Sequence, residues 1–322
     1  MTVTVATNEL PTPDGHRCQG CRTVGRVITV SQRTFRTVAG IALGSLSVII
    51  FSGAMVRLTG SGLGCEDWPR CNATKFVDVS TGHTLIEQAN RLFTGVVSMS
   101  VMAAVLLAHF RRPLRKDLVR LAWGLVVGVL AQIIIGGIVV LTGLNPYANM
   151  AHFLVSLVLV ANAFVLYRRS GDQPITYFRT GHVRIVTAIR LVVISSALAL
   201  ATGTVVTATG PHAGDEEAVR FGFALTSVAR IHSVSVLITV ALIIFLGVRA
   251  KQLNGDANTR DAIQALLLAT VFQGAVGYAQ YFNGVPVALV AVHIVGATAL
   301  WFAVCNLAVS PSSGTQSQLI TE

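Results

Sequence analysis

Three histidines and one asparagine stand at matched places in two copies of one sequence pattern. Gln132 to His152 and Gln273 to His293 each run glutamine, glycine, proline, histidine, with the glutamine 20 residues and the glycine 16 residues before the histidine. The proline lies 6 residues before His152 and 7 before His293. Upstream, Gly53-Ala-Met-Val-Arg-Leu-Thr-Gly60 is echoed by Gly203-Thr-Val-Val-Thr-Ala-Thr-Gly210, and Arg230-Ile-His232 stands where Asn90-Arg91 stands in the first copy. Asn90, His152, His232 and His293 are therefore equivalent positions of a duplicated unit. A bis-histidine haem iron needs neutral imidazoles on opposite faces of a flat macrocycle, and facing helices of a four-helix bundle supply them. The second copy has both imidazoles; the first has one. A lone histidine on an apolar helix would be an ordinary packing residue, so it is the repeated placement that argues for iron.

Other chemistry clusters around the first copy. Glu87, in Ile86-Glu87-Gln88-Ala89-Asn90-Arg91, lies about one turn into an apolar run, where a charged carboxylate is costly and marks function. The alternative is an ordinary i, i+4 pair with Arg91. Cys65 and Cys71 lie in the glycine-rich stretch Arg57 to Cys71, which no Lys-Ser/Thr follows, so a phosphate loop is excluded. On an oxidising face they form a disulfide or a redox-active thiol pair. Cys18-Gln-Gly-Cys21 has only His16 beside it, short of the four ligands of structural zinc. Cys305 reads as a small packing residue, and His83, His109, His182 and His212 have no evident partner.

The elements that must position these residues are membrane helices. The chain is 53% hydrophobic and 12% charged, with mean hydropathy +0.67, which no soluble domain of this length matches. Eight apolar runs centre near 47, 98, 130, 160, 198, 238, 271 and 298, each able to cross a hydrocarbon core of about 30 Å. The expected fold is an all-α integral membrane protein: eight transmembrane helices in two tandem four-helix bundles. Four spans per copy send both copies into the membrane in the same direction, a parallel internal repeat. Residues 35–168 form the N-terminal half, with the Cys loop 58–84 outside. Residues 169–183 form a basic cytoplasmic linker, and 184–308 the C-terminal half.

Clusters spanning Arg17 to Arg36, Arg111 to Arg120, Arg168 to Arg190 and Arg249 to Arg260 hold 18 of the 24 Lys and Arg residues, all on one side, which makes that side cytoplasmic. The net charge of +10 is thus topological and does not indicate nucleic acid. Acidic residues Glu66, Asp67, Asp78 and Asp215 to Glu217 fall in the opposite loops. Residues 1–34, which lack the apolar core of a signal peptide, and 309–322 are expected to be cytoplasmic tails of a multi-pass cell-membrane protein, the first disordered. Its surroundings are membrane lipid, and the sequence permits a homo-oligomer without specifying one.

The Gly-x-x-Val-Arg-Leu-Thr-Gly-Ser-Gly-Leu-Gly-Cys-x-Asp-Trp-Pro-x-Cys stretch, the Ile-Glu-x-x-x-Arg opening of the second span and the paired histidines resemble the haem A synthase family across all eight spans. The resemblance implies successive hydroxylations of a haem O methyl group to the formyl group of haem A, for terminal oxidases. It implies a haem b cofactor ligated by His232 and His293 in the C-terminal half. Substrate haem would lie in the N-terminal half with His152, Asn90 and Arg91, and Glu87 would be the catalytic carboxylate. It further implies a haem O synthase upstream and oxidase assembly factors downstream. Family members commonly carry histidine where this chain has Asn90, which leaves its first-half site a single histidine. The loop Thr209 to Thr226 lacks the cysteine pair that some relatives carry, so any thiol chemistry must use Cys65 and Cys71.

Two diverged copies, one with paired ligands and one with a glutamate and one ligand, suit an enzyme. Arg57, Arg91 and Arg230 are candidates to hold haem propionates. The alternative is a membrane b-type cytochrome that only transfers electrons, which would need neither Glu87 nor the cysteine pair. A transporter would break its helices with polar residues at the midplane, whereas the polar residues here cluster at the outer helix ends.

Overall fold

The computed structural model describes residues 2–4, 27–171, 175–177, 183–253 and 257–311. His16, Cys18, Cys21 and His182 lie outside them. The chain forms eight long helices: α1 (Gln32–Leu58), α2 (Gly82–Phe110), α3 (Lys116–Leu141), α4 (Pro146–Arg169), α5 (Val183–Thr209), α6 (Leu225–Gln252), α7 (Ala257–Phe282) and α8 (Val287–Ala308). All eight are long and apolar enough to cross a membrane. The only strands among the described residues are two short antiparallel pairs, Thr2–Thr4 with Val27–Thr29 and Ile175–Tyr177 with Val309–Pro311.

Local chemistry sets several helix starts. The Ser31 hydroxyl accepts from Thr34 N at 3.1 Å to open α1, and Thr81 and Thr84 exchange backbone and side-chain bonds in a capping box at the start of α2. Asn145 caps α4, accepting from Tyr147 N at 3.0 Å, with Pro146 in the first helical position.

The turns from α3 to α4 and from α7 to α8 are built alike. Gly143 and Leu144 have φ of 59° and 61°, and Gly284 and Val285 have φ of 74° and 59°. Leu144 N donates to Val139 O at 2.8 Å, and Val285 N to Gln280 O at 2.8 Å. A β-branched residue at positive φ is strained, and the Val285 carbonyl is held by His212 Nε2 at 2.8 Å. Val285→Gly removes the Cβ and keeps that backbone acceptor. The substitution is expected to stabilise the protein by about 1 kcal/mol, read as a higher Tm in detergent; an unchanged or lower Tm contradicts the strain.

The helices pack in two groups of four. In one, α1 and α3 each contact α2 and α4; in the other, α5 and α7 each contact α6 and α8. Phe35, Leu118, Leu125, Val160 and Leu166 fill the first core, and Ile185, Ile243, Leu246, Leu266 and Leu307 the second. Lipid is as apolar as these side chains, so close packing rather than escape from water favours their contacts. Met99, Val127, Leu268 and Phe282 point outward, as lipid-facing residues do.

Polar ties join the groups. Trp301 Nε1 donates to Leu157 O at 2.9 Å and Arg168 Nη1 to Asn306 Oδ1 at 3.0 Å. At the other end Gly62 N donates to Gly214 O at 2.8 Å. Beside that contact Arg57 donates to Thr207 O at 2.7 Å and to His212 O.

Candidate functional site: two sets of equivalent polar positions

Asn90, His152, His232 and His293 all lie in the second or third turn of their helices. α6 begins at Leu225, so His232 sits deeper than the sequence stretch Arg230-Ile-His232 suggests. Each histidine faces a glycine on a neighbouring helix. A Cβ on Gly136 would lie 3.4 Å from the His152 ring, on Gly277 3.1 Å from His293, and on Gly203 3.1 Å from His232. Glycine therefore lets the adjacent backbone press against each imidazole, which fixes the ring plane.

The backbones carrying His152 and His293 are anchored identically. Gln132 Nε2 donates to His152 O at 3.0 Å, and Gln273 Nε2 to His293 O at 2.6 Å. These glutamines, which define the repeated spacing, thus hold the helices that bear the histidines. Nδ1 of both histidines is buried without a hydrogen-bond partner, whereas Nε2 is neither enclosed nor bonded among the described residues.

His232 is held from its side chain. Nδ1 lies 3.1 Å from Thr202 Oγ1, whose own proton has an acceptor in Ala199 O at 2.9 Å. Thr202 then accepts from Nδ1–H, the tautomer that leaves a lone pair on Nε2. Ser235 Oγ lies 2.9 Å from Thr202 Oγ1 and donates to His232 O at 2.6 Å. His232 on α6 and His293 on α8 belong to the same group of four helices. Two neutral imidazoles with free Nε2 atoms, backed by glycine and a hydroxyl, are a donor set that fits haem iron.

The first group reproduces this arrangement with Asn90 in place of histidine. Ser52 and Gly53 precede Asn90 as Thr202 and Gly203 precede His232. Ser52 Oγ donates to Asn90 Oδ1 at 2.7 Å, and a Cβ on Gly53 would lie 4.0 Å from that oxygen. The hydroxyl partner is kept although the imidazole is not.

Glu87 is buried, with 4% of its surface exposed, and forms the pair with Arg91 that the i, i+4 spacing permits. Oε1 accepts from Arg91 Nη2 at 2.6 Å and Nε at 3.0 Å, and Oε2 accepts from Cys65 N at 2.7 Å. Arg91 Nη1 donates to Asp67 O and Arg70 O, each at 3.1 Å, and Nη2 also reaches Asp67 O at 3.2 Å. The Cys65–Cys71 disulfide is formed and both cysteines are buried. Gln88 Oε1 lies 3.7 Å from Cys65 Sγ, a non-bonded contact because a disulfide sulfur carries no proton.

The loop is pressed onto the helices at glycines. A Cβ on Gly64 would meet His83 backbone at 2.6 Å, and one on Gly137 would meet the Trp68 indole at 2.9 Å. Carboxylate, guanidinium and disulfide loop are therefore one connected unit, with Glu87 a turn before Asn90 on the same side of α2.

Of the three arginines considered for carboxylate binding, Arg57 is engaged by carbonyls of the opposite group and Arg91 by Glu87 and the loop. Arg230 is exposed and has no partner among the described residues. His83 Nδ1 lies 2.9 Å from Ser61 Oγ, His109 Nδ1 lies 2.9 Å from Val105 O, and His212 braces Val285, so each has a structural partner. Cys305 is a buried free thiol in α8. The hydroxyls of Ser52 and Thr202 escape a search for metal ligands; their signal is their shared position immediately before the repeated glycine.

The profile of a family described as "Cytochrome oxidase assembly protein" (COX15-CtaA) matches residues 36–82 and 73–305. The chain is 34% identical over 124 residues to the protein named Heme A synthase in Listeria welshimeri, covering 38% of this chain and 40% of that one. Proteins of the same name in Lysinibacillus sphaericus and Geobacillus kaustophilus are 33% identical over 120 residues and 32% over 123. Both alignments cover 37% of this chain, and 39% and 38% of those relatives, respectively. The matched stretch thus spans about two fifths of the length of these relatives.

Proposed function

The chain belongs to the cytochrome oxidase assembly protein family, and from that membership we propose that it is a haem A synthase, oxidising a methyl group of haem O to a formyl group. The observation that carries this reading is the asymmetry between equivalent positions. The second half, residues 184–308, offers His232 and His293 with free Nε2 atoms. The first half, residues 35–168, offers His152, Asn90 and a buried carboxylate tied to a disulfide loop.

His232 and His293 would hold a haem b, which would supply one-electron transfer when bound. The substrate haem O lies in the first half against His152. Its methyl group is hydroxylated with oxygen from water, each round releasing an electron pair and a pair of protons, and loss of water from the doubly hydroxylated carbon gives the formyl group. Glu87 stabilises positive charge developing at that carbon and handles the protons. Arg91 on Oε1 and Cys65 N on Oε2 fix the carboxylate in advance, so no reorganisation is needed as charge appears. Arg91 therefore acts on substrate through Glu87, and Arg230 is the arginine left for a propionate.

On this reading both termini lie on the cytoplasmic side of the cell membrane and the disulfide loop outside, which the Lys and Arg clusters at one set of helix ends support. The two halves run parallel, related by an axis along the membrane normal. A haem O synthase supplies the substrate, oxidase assembly factors take the product, and a one-electron acceptor removes the electrons.

Thr202 orients the His232 imidazole, so Thr202→Val is expected to weaken retention of haem b by about 10- to 100-fold, measured as haem lost on detergent dilution. Thr202→Ser should rescue it; equal retention in the wild-type and Val proteins contradicts the role. The function itself is tested by incubating purified protein with haem O and an electron acceptor and separating the extracted haems chromatographically. Haem A or its hydroxymethyl precursor is expected. Unchanged haem O beside fully bound haem b would instead favour an electron-transfer cytochrome.

A further inference from the structure

Asn90 and His232 occupy equivalent positions but present different chemistry to whatever lies between the helices. Ser52 Oγ donates to Asn90 Oδ1 at 2.7 Å, as Thr202 Oγ1 pairs with His232 Nδ1 at 3.1 Å. In the second half this contact takes up Nδ1 and leaves Nε2 as the free nitrogen. In the first it occupies the amide's acceptor oxygen and leaves the Nδ2 donors, which are neither enclosed nor bonded among the described residues.

An amide nitrogen carrying two protons has no lone pair to give a metal. The side chain also ends roughly one bond length, on the order of 1.3 Å, short of an imidazole Nε2. Asn90 therefore cannot stand in for a histidine ligand, although it can donate a hydrogen bond to something bound to the metal.

We propose that Asn90 makes the first half a binding site for a small uncharged ligand, such as dioxygen, carbon monoxide or water, on the iron face opposite His152. The Nδ2–H group donates to that ligand. This inference rests on the reading that haem O is held in the first half by His152. It adds that substrate iron held there by His152 would be open on one side, whereas His232 and His293 would together hold a haem b from both sides. Ser52 is a positioning residue: its hydroxyl holds the amide oxygen and so leaves the Nδ2 donors free.

The test uses the purified full-length protein, loaded with haem O, reduced and titrated with carbon monoxide. The expected result is that about half of the bound haem forms a carbonyl complex and half does not. Asn90→His should abolish carbonyl formation with haem content unchanged. Asn90→Leu should keep it but raise the C–O stretching frequency, because the hydrogen bond is lost. Protein holding both haems that binds no carbon monoxide overturns the proposal, as does an Asn90→His protein that binds it as the wild type does. A preparation that never takes up a second haem, with haem content unaffected by His152→Ala, overturns the placement of substrate itself. That failure is distinguishable because haem content, and not ligand binding, reports it.

Discussion

Glu87→Gln is expected to leave the haem b absorbance spectrum unchanged while lowering conversion of haem O by about 100-fold or more, the range over which a positioned acid or base acts. Glutamine keeps an acceptor for Arg91 and nearly the same volume. It removes the negative charge and presents an amide where Oε2 now accepts from Cys65 N. Glu87→Ala is the harsher change. It leaves Arg91 without its partner in a buried setting, and breaking such a pair costs roughly 3–5 kcal/mol. The Gln variant therefore separates charge from folding. Haem A formed per bound haem b is the quantity to measure, and full activity in Glu87→Gln would make the carboxylate a structural clamp for the disulfide loop.

The second large effect is on the opposite half. His293→Ala removes one of two free Nε2 atoms and opens a space beside Gly277, and near-complete loss of the haem b absorbance is expected. His152→Ala should retain that absorbance, because His152 packs on Gly136 in the other helix group. Absorbance spectra of the two purified variants decide this. Equal loss in both would remove the division of labour between halves.

The eight spans were legible from composition and run length alone, since lipid demands long apolar helices and tolerates little else. The histidine positions were legible from the glutamine and glycine spacing, and the structure gives that spacing a cause. Gln132 and Gln273 bond the carbonyls of the histidines that follow them, and Gly136 and Gly277 face the rings. The Glu87 and Arg91 pair was legible as an i, i+4 alternative.

What was not legible required knowing which helix ends meet. Arg57 read as a candidate for a haem propionate. The acceptors it finds are carbonyls 150 or more residues away. Arg91 likewise gains its loop carbonyls only once Trp68 is laid on Gly137. The left-handed Gly143-Leu144 and Gly284-Val285 pairs stand just before the prolines of the repeated pattern. Nothing local announces that a valine will accept positive φ.

Mass spectrometry of haems extracted from membranes co-expressing this protein with a source of haem O tests the central claim most directly. Haem A or its hydroxymethyl intermediate is predicted with the wild-type chain, and neither in quantity with Glu87→Gln at equal haem b content. Only haems O and B in both, despite bound haem and a competent electron acceptor, would contradict the account.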